Sequence, residues 1–526
     1  MAHRSTALTR ADLPACAAVQ ARALAALLGL GVVLPWAAGS ASLPYISPRF
    51  PGVSLPFVLN AAYCAPFLPV PLLLMAAVKR YGARGAELAV PASFVILAAA
   101  LAGAPLAARF FEGTTGVAVF AVLAGVLPGV LSNVAQTAIF AVNSNLSPEL
   151  NPWVWAGQGA AGVIASAAMV VDRLIVSAEA TAPASGDIIF FGFTAAVSVA
   201  CAAAWIAYRR HPYITVQLAA RARQAERQAS LVRFASSGSL SAPPRSPGAG
   251  GRKEAPMTLN AGGAGEEVGG SFDNEEEDDG DECSGGDDDG ALSFAGRGGD
   301  RSDAAALTPL LRVAASAPES PSAKSFARAA RLTSEASYAG LLPRLWDLWL
   351  VLVINFGATF LVLPFVFLIP YKGGLLPWAP FTAGDSHAWW STFLFACYNI
   401  GDCVAYFSRV AGLRLTLFCG PRKGVLLAVA LVRLVASVAG FLALQSDEGR
   451  VANDFVAAAF VLAFGFSSGF IESSAMFHAE NSRRITSVEG RSLVGTVSGL
   501  CVVFGLFWGG ALSYVFAFIP NPFPVE

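Results

Sequence analysis

The chain has 526 residues, of which 55% are hydrophobic and only 13% charged, with a formal net charge of -1 and a mean hydropathy of +0.57. A soluble protein of this length needs a more charged surface, so the composition excludes one and indicates an integral membrane protein. The near-neutral balance hides an acidic block, Glu266 to Asp289, that holds no Lys or Arg, and it gives no ground for a nucleic-acid partner; the eight cysteines are scattered, most of them in apolar runs (Cys64, Cys201, Cys397, Cys403, Cys501), and indicate neither a disulfide framework nor a zinc site.

A bilayer core about 30 Å thick takes about 20 apolar residues per helix. Eleven such runs are predicted: 20–46, 53–78, 86–108, 114–143, 153–177, 187–208, 346–370, 388–412, 424–445, 452–477 and 490–519. Six precede a long polar segment and five follow it. The expected organisation is a six-helix bundle over 1–208, a linker over 209–345 and a five-helix bundle over 346–526. The first run has a basic start (Arg4, Arg10, Arg22) and a small-residue stretch, AAGSAS, like a signal-peptide cleavage site. Its apolar part is long for a signal core and continues past that stretch, so a retained helix is expected, with an organellar targeting role for about the first 15 residues as the alternative.

Orientation follows from Lys and Arg near the helix ends. With the N-terminus cytosolic, the inner side receives Arg4, Arg10, Arg22, Lys79, Arg80, Arg84, Arg209, Arg210, Arg414, Arg422, Lys423, Arg483, Arg484 and Arg491, against Arg49, Arg109, Arg173, Lys372 and Arg450 outside. A cytosolic N-terminus and an outside C-terminus are therefore expected, in the plasma membrane or alternatively an organellar one. The sequon Asn145-Leu146-Ser147 then falls inside and should carry no sugar.

Between the halves, the basic run RRHPYITVQLAARARQAERQASLVRF could be helical and dock on anionic lipid. It passes through SSGSLSAPPRSPGAGG into EEEDDGDECSGGDDD. Few aromatic or β-branched residues mean too little apolar surface to offset chain entropy, so a long disordered cytosolic loop is expected. Its acidic run reads as a solvated tether, or else as the binding element for a cytosolic partner.

Polar residues within the spans carry the functional signal. Asn399, Asp402, Tyr406 and Arg409 are spaced 3, 4 and 3 apart, which places them in one sector of a helix. Ionised groups are costly in hydrocarbon, so this stripe should face the bundle interior or a water-filled path. Asn133, Gln136, Phe140 and Asn143 repeat the spacing in the first half, and two such stripes suggest a cavity between the halves. The alternative for Asp402 is an ion pair with Arg409 or Arg433 that locks helices together; for Gln136 it is interhelical hydrogen bonding. Glu472, a second intramembrane acid on the same face as Ser468, could pair with an arginine or carry a proton. In WAGQGAAGVIAS, the face of Gly159, Gly162 and Ser166 reads as helix packing. No HExxH or phosphate loop is present, which argues against an enzyme, a cofactor and an ATP-driven pump.

The segment LSNVAQTAIFAVNSNLSPELNPWVWAGQGAAGVIAS resembles the fourth and fifth spans of the equilibrative nucleoside transporter family. VLPWAAG, NIGD and LVRLV resemble that family's motifs in spans one, eight and nine, and the 6 + 5 arrangement with a large inner loop agrees. The resemblance implies that Trp36 and Gln136 line the substrate cavity, with Gln136 bonding the base edge. It also implies that Asp402 engages the ribose hydroxyls or supports the group that does. Departures occur at Tyr406, where the family carries Arg, with Arg409 a turn further on the same face. They occur also at Ala37 and Ser468, where the family has Asn.

The expected protein is thus an all-α, multi-pass, major-facilitator-like transporter of nucleosides or nucleobases, working by facilitated alternating access. Proton-coupled symport through Glu472 or Asp402 is the alternative. A receptor or scaffold whose acidic loop does the work is the other, although an anchor has no need of polar stripes in both halves.

Overall fold

The computed structural model describes residues 15–50, 52–71, 83–143, 150–178, 183–220, 338–372, 386–411, 424–445, 453–480 and 488–516, with a few isolated positions between them. The acidic block and Asn145 lie outside the described residues. The helices belong to one compact unit, built from Met1–Val232 and Ala329–Glu526.

The first six helices are α1 (Ala15–Ile46), α2 (Leu55–Cys64), α3 (Ala83–Phe110), α4, α5 (Asn151–Ala178) and α6 (Pro183–Arg210). α4 runs Gly113–Ala121, opens into a π-helical stretch over Val122–Val126 and continues as Leu127–Asn143. After the linker come α7 (Tyr338–Val362), α8 (Ser386–Val410), α9 (Val425–Gln445), α10 (Asp454–Glu480) and α11 (Val488–Phe516).

Among the described residues, nine of these helices are long and apolar enough to cross a membrane. The protein is a multi-pass membrane protein. The other two expected runs are α2 and α8. α2 belongs to the described apolar stretch Leu55–Pro71, and most of the rest of its expected run, 53–78, lies outside the described residues. α8 has 25 residues, ample length to span, but its polar stripe dilutes its hydropathy. Two boundaries move as well: α7 starts at Tyr338 rather than at 346, with Leu341 and Leu345 buried, and helix continues at 212–220 past α6, with Tyr213 and Ile214 buried.

Prolines inside α1 (Pro35, Pro44) and α3 (Pro91, Pro105) are tolerated because neighbouring helices re-satisfy the freed backbone groups. Lipid tails are as apolar as leucine, so close backbone approach must supply the association. Glycines provide it reciprocally. A Cβ on Gly29 of α1 would strike the Val154 carbonyl of α5, and one on Gly157 would strike the Ala26 carbonyl. Gly401 and Gly465 meet the Leu462 and Tyr398 carbonyls across α8 and α10; Gly505 and Gly509 meet the Val353 and Gly357 carbonyls across α11 and α7.

The pairing has an internal repeat. α1 packs on α5 and α7 on α11, while α2 packs on α4 and α8 on α10, an offset of six elements in each case. Two seams join the halves, α5 against α8 and α2 against α11.

Candidate solute cavity between the two halves

A cavity of about 80 Å³ lies where the seams converge. The first half contributes Trp36, Tyr63, Gln136 and Gln158; the second contributes Thr359, Phe360, Tyr398, Asn399, Asp402, Tyr406, Ser468 and Glu472. Six residues singled out in the sequence therefore meet here: Trp36, Gln136, Asn399, Asp402, Tyr406 and Glu472.

Local packing aims them. Gly159 abuts the Tyr406 ring and Gly162 abuts the Asn399 side chain, so α5 approaches α8 closely where the stripe begins. Asn399 donates to its own helix at Phe395 O (2.8 Å) and across the seam to Ser166 Oγ (3.4 Å). Asp402 lies against Gly469, where a Cβ would come within 2.9 Å of Oδ1. The Tyr406 hydroxyl donates to Glu472 Oε2, while Glu472, only 2% exposed, keeps Oε1 without a hydrogen-bond partner.

Arg433, buried in α9, holds the floor. Nε donates to Ser467 Oγ (3.0 Å), Nη1 to the Asn355 carbonyl (3.1 Å), and Nη2 to Thr359 Oγ1 (2.9 Å) and the Phe464 carbonyl (3.3 Å). Its charge acts on Asp402 and Glu472, although among the described residues no carboxylate lies within ion-pair distance of it. Arg409 turns elsewhere. Its guanidinium sits 3.7 Å over the Phe477 ring, and it lines a separate crevice with Pro152 and Trp155. Neither arginine offered by the sequence as a direct partner for Asp402 forms that pair.

The first-half stripe divides. Gln136 reaches the cavity, whereas Asn143 accepts from the Tyr208 hydroxyl (2.7 Å) and Asn133 donates to the Phe67 carbonyl (3.4 Å), both bonds within the half. Phe140 stacks on Trp155 at 4.7 Å.

Sequence reasoning missed Gln158, Tyr63, Tyr398 and Thr359. Gln158 is 7% exposed and its amide nitrogen has no hydrogen-bond partner, which makes it the strongest omission. The signal was present: an amide flanked by Gly157 and Gly159 in an apolar helix is a costly polar group. The tyrosines read as ordinary apolar core.

Aromatic rings flank the cavity. Toward the Arg49 end, Trp36 meets Phe360 at 5.3 Å, Tyr63 at 5.8 Å and Phe395 at 6.1 Å. Toward the Arg409 end, Trp155 stacks on Tyr406 at 6.3 Å. The resulting space is far below the roughly 300–1,000 Å³ of small-molecule pockets. It accommodates a few waters at about 30 Å³ each, so admitting a larger solute requires the halves to part.

No protein-family model matches the chain, and no curated protein matches it. Solved structures do. The nucleoside transporter NupG, in a mutant form, aligns at 12% identity and a TM-score of 0.43, covering 95% of this chain and 98% of that one. The xylose transporter XylE from E. coli, in a partially occluded inward-open conformation, aligns at 12% identity and 0.41, covering 95% and 98%. A second NupG structure aligns at 12% and 0.40, covering 95% of each chain.

Proposed function

We propose that the chain moves nucleosides or nucleobases across a membrane by alternating access, as an eleven-span, 6 + 5, major-facilitator-like transporter with a cytosolic N-terminus and an outside C-terminus. One observation carries this reading: a cavity between two helical halves, lined by three amides, two carboxylates and an aromatic cluster. Such a set suits a flat base and a hydroxylated sugar. Gln136 and Gln158 each offer a donor and an acceptor to a base edge, the rings offer faces, and Asp402 accepts from hydroxyls. The six-element offset in helix pairing supports rocking of one half against the other about a midplane site. No Lys, Arg or His stands among the lining residues, so the site offers no cation to hold a phosphorylated solute.

Proton-coupled symport is the second reading, favoured by Glu472, a buried cavity carboxyl with one oxygen free of hydrogen bonds. A single assay separates the two: uptake of radiolabelled adenosine, uridine and hypoxanthine in a transport-deficient cell, with and without a proton ionophore. The facilitative form predicts uptake of at least one solute that stops at equilibrium and ignores the ionophore. Accumulation above equilibrium that the ionophore abolishes assigns symport, and no uptake of any of the three removes the substrate class.

A further inference from the structure

Away from the cavity, α5 and α6 enclose a crevice of about 410 Å³. It opens on a surface where Val171, Ile175 and Ile189 are 54%, 50% and 55% exposed, the apolar surface that a multi-pass protein turns to lipid. Ile164, Ala168, Phe190 and Phe193 complete its apolar wall, and one polar side chain interrupts it, Asp172. Asp172 is 2% exposed and neither carboxylate oxygen has a hydrogen-bond partner. A buried acceptor without a donor is costly anywhere, and more so inside a bilayer.

The surroundings say what kind of donor is missing. The contact from Arg173 Nε to Asp172 is a loose 4.0 Å. Arg173 is committed through Nη2 to Asp187, which also takes Arg49 Nη2 at 3.0 Å, and its guanidinium lies 3.8 Å over the Tyr45 ring. Two carboxylates thus face two guanidiniums, and this cluster is formally neutral. A cationic headgroup would unbalance it, and a phosphate would bring a negative charge against Asp172. A neutral hydroxyl leaves the balance intact and fills the empty acceptor.

Depth points the same way. Asp172 lies near the Arg49 end of α5, and the apolar wall continues inward to Ile164, eight residues away, or about 12 Å along the helix. The site has its polar contact toward the membrane surface and its apolar length toward the middle. Its volume is in the range of sites for compact small molecules. We propose that this α5–α6 crevice binds a membrane lipid of the sterol class, its single hydroxyl donating to Asp172 and its ring body lying along the apolar wall. The proposal rests on the protein's membrane location and not on its substrate. It bears on the halves all the same, because Tyr45, beneath Arg173, accepts a hydrogen bond from Thr392 of α8 (3.3 Å).

The test uses the full chain in phosphatidylcholine nanodiscs with a photoreactive diazirine sterol and peptide mapping. Labelling is expected on α5 and α6 peptides, displaced by unlabelled sterol and not by diacylglycerol. Asp172→Leu should weaken it about tenfold, the effect of losing one hydrogen bond to a charged group. Ala167→Trp, at an exposed position in the crevice wall, should fill the space and abolish labelling without touching the ion cluster. Monodispersity and thermal midpoint establish folding, and if Asp172→Leu does not fold, Ala167→Trp decides. Labelling that persists in Ala167→Trp, spreads evenly over the helices, is absent from α5 and α6, or yields equally to diacylglycerol overturns the proposal.

Discussion

Asp402→Ala should lower the ratio of maximal uptake to half-saturation constant by roughly 10- to 100-fold, while surface expression is retained. That range corresponds to the loss of a hydrogen bond to a charged group, worth about 1.5–3 kcal/mol, at 1.4 kcal/mol per tenfold. Asp402→Asn, which keeps an acceptor but not the charge, should fall between the two. Arg409 offers the contrast. Because its guanidinium covers the Phe477 ring instead of the cavity, Arg409→Met should change the ratio by less than about threefold, the scale of an exposed cation–π contact. Intact uptake in Asp402→Ala together with loss in Arg409→Met would reverse the assignment and make the carboxylate a helix-locking group.

The second large effect is on stability. Arg433→Leu removes a buried guanidinium that donates to Ser467, Thr359 and the carbonyls of Asn355 and Phe464. Those acceptors would be stranded, and Asp402 and Glu472 would lose the positive charge that acts on them. Breaking a buried charged arrangement on one side costs about 3–5 kcal/mol, so most of the variant should fail to extract as a monodisperse species. Arg433→Lys should rescue only part, since an ammonium cannot reproduce the planar fork. The double variant with Glu472→Gln should be less impaired than Arg433→Leu alone, because one uncompensated carboxylate is then neutral. A double variant as unstable as the sum of the two singles would separate Arg433 from the cavity charges.

These two residues show how far the sequence could be read. Asn399, Asp402 and Tyr406 declared themselves because polar groups at helical spacing in an apolar run must turn away from lipid, and the cavity receives all three. Periodicity gives direction around a helix but not the neighbour met there. Asn133 and Asn143 share a stripe with Gln136, yet they tie the first half together through Phe67 and Tyr208. Arg409 shares a stripe with Asp402, but one further turn carries it past the cavity to Phe477. The tyrosines at 63 and 398 were invisible for a different reason: their rings are core-like, and only the tertiary packing brings them to the cavity. Gly159 and Gly162 were legible as packing residues, and the structure adds what they pack against, namely Tyr406 and Asn399.

Polarity also explains why α8 is less apolar than the helices around it while being central. A helix that lines a path must carry the groups that lower its apolar score. The same logic in reverse identifies Asp172, whose carboxylate belongs to no path and no hydrogen bond.

Alternating access, as proposed, presents one site between the halves to the two sides of the membrane in turn. Its most direct test is counterflow in proteoliposomes preloaded with unlabelled solute, with adenosine, uridine and hypoxanthine each tried against its own labelled form and no net gradient imposed. Alternating access predicts that labelled solute transiently accumulates in preloaded vesicles for at least one of the three, and that Asp402→Ala, folded by thermal midpoint, exchanges it at least about tenfold more slowly at subsaturating solute. Labelled entry that is indifferent to preloading, or absent for all three solutes in wild-type vesicles, would contradict the account.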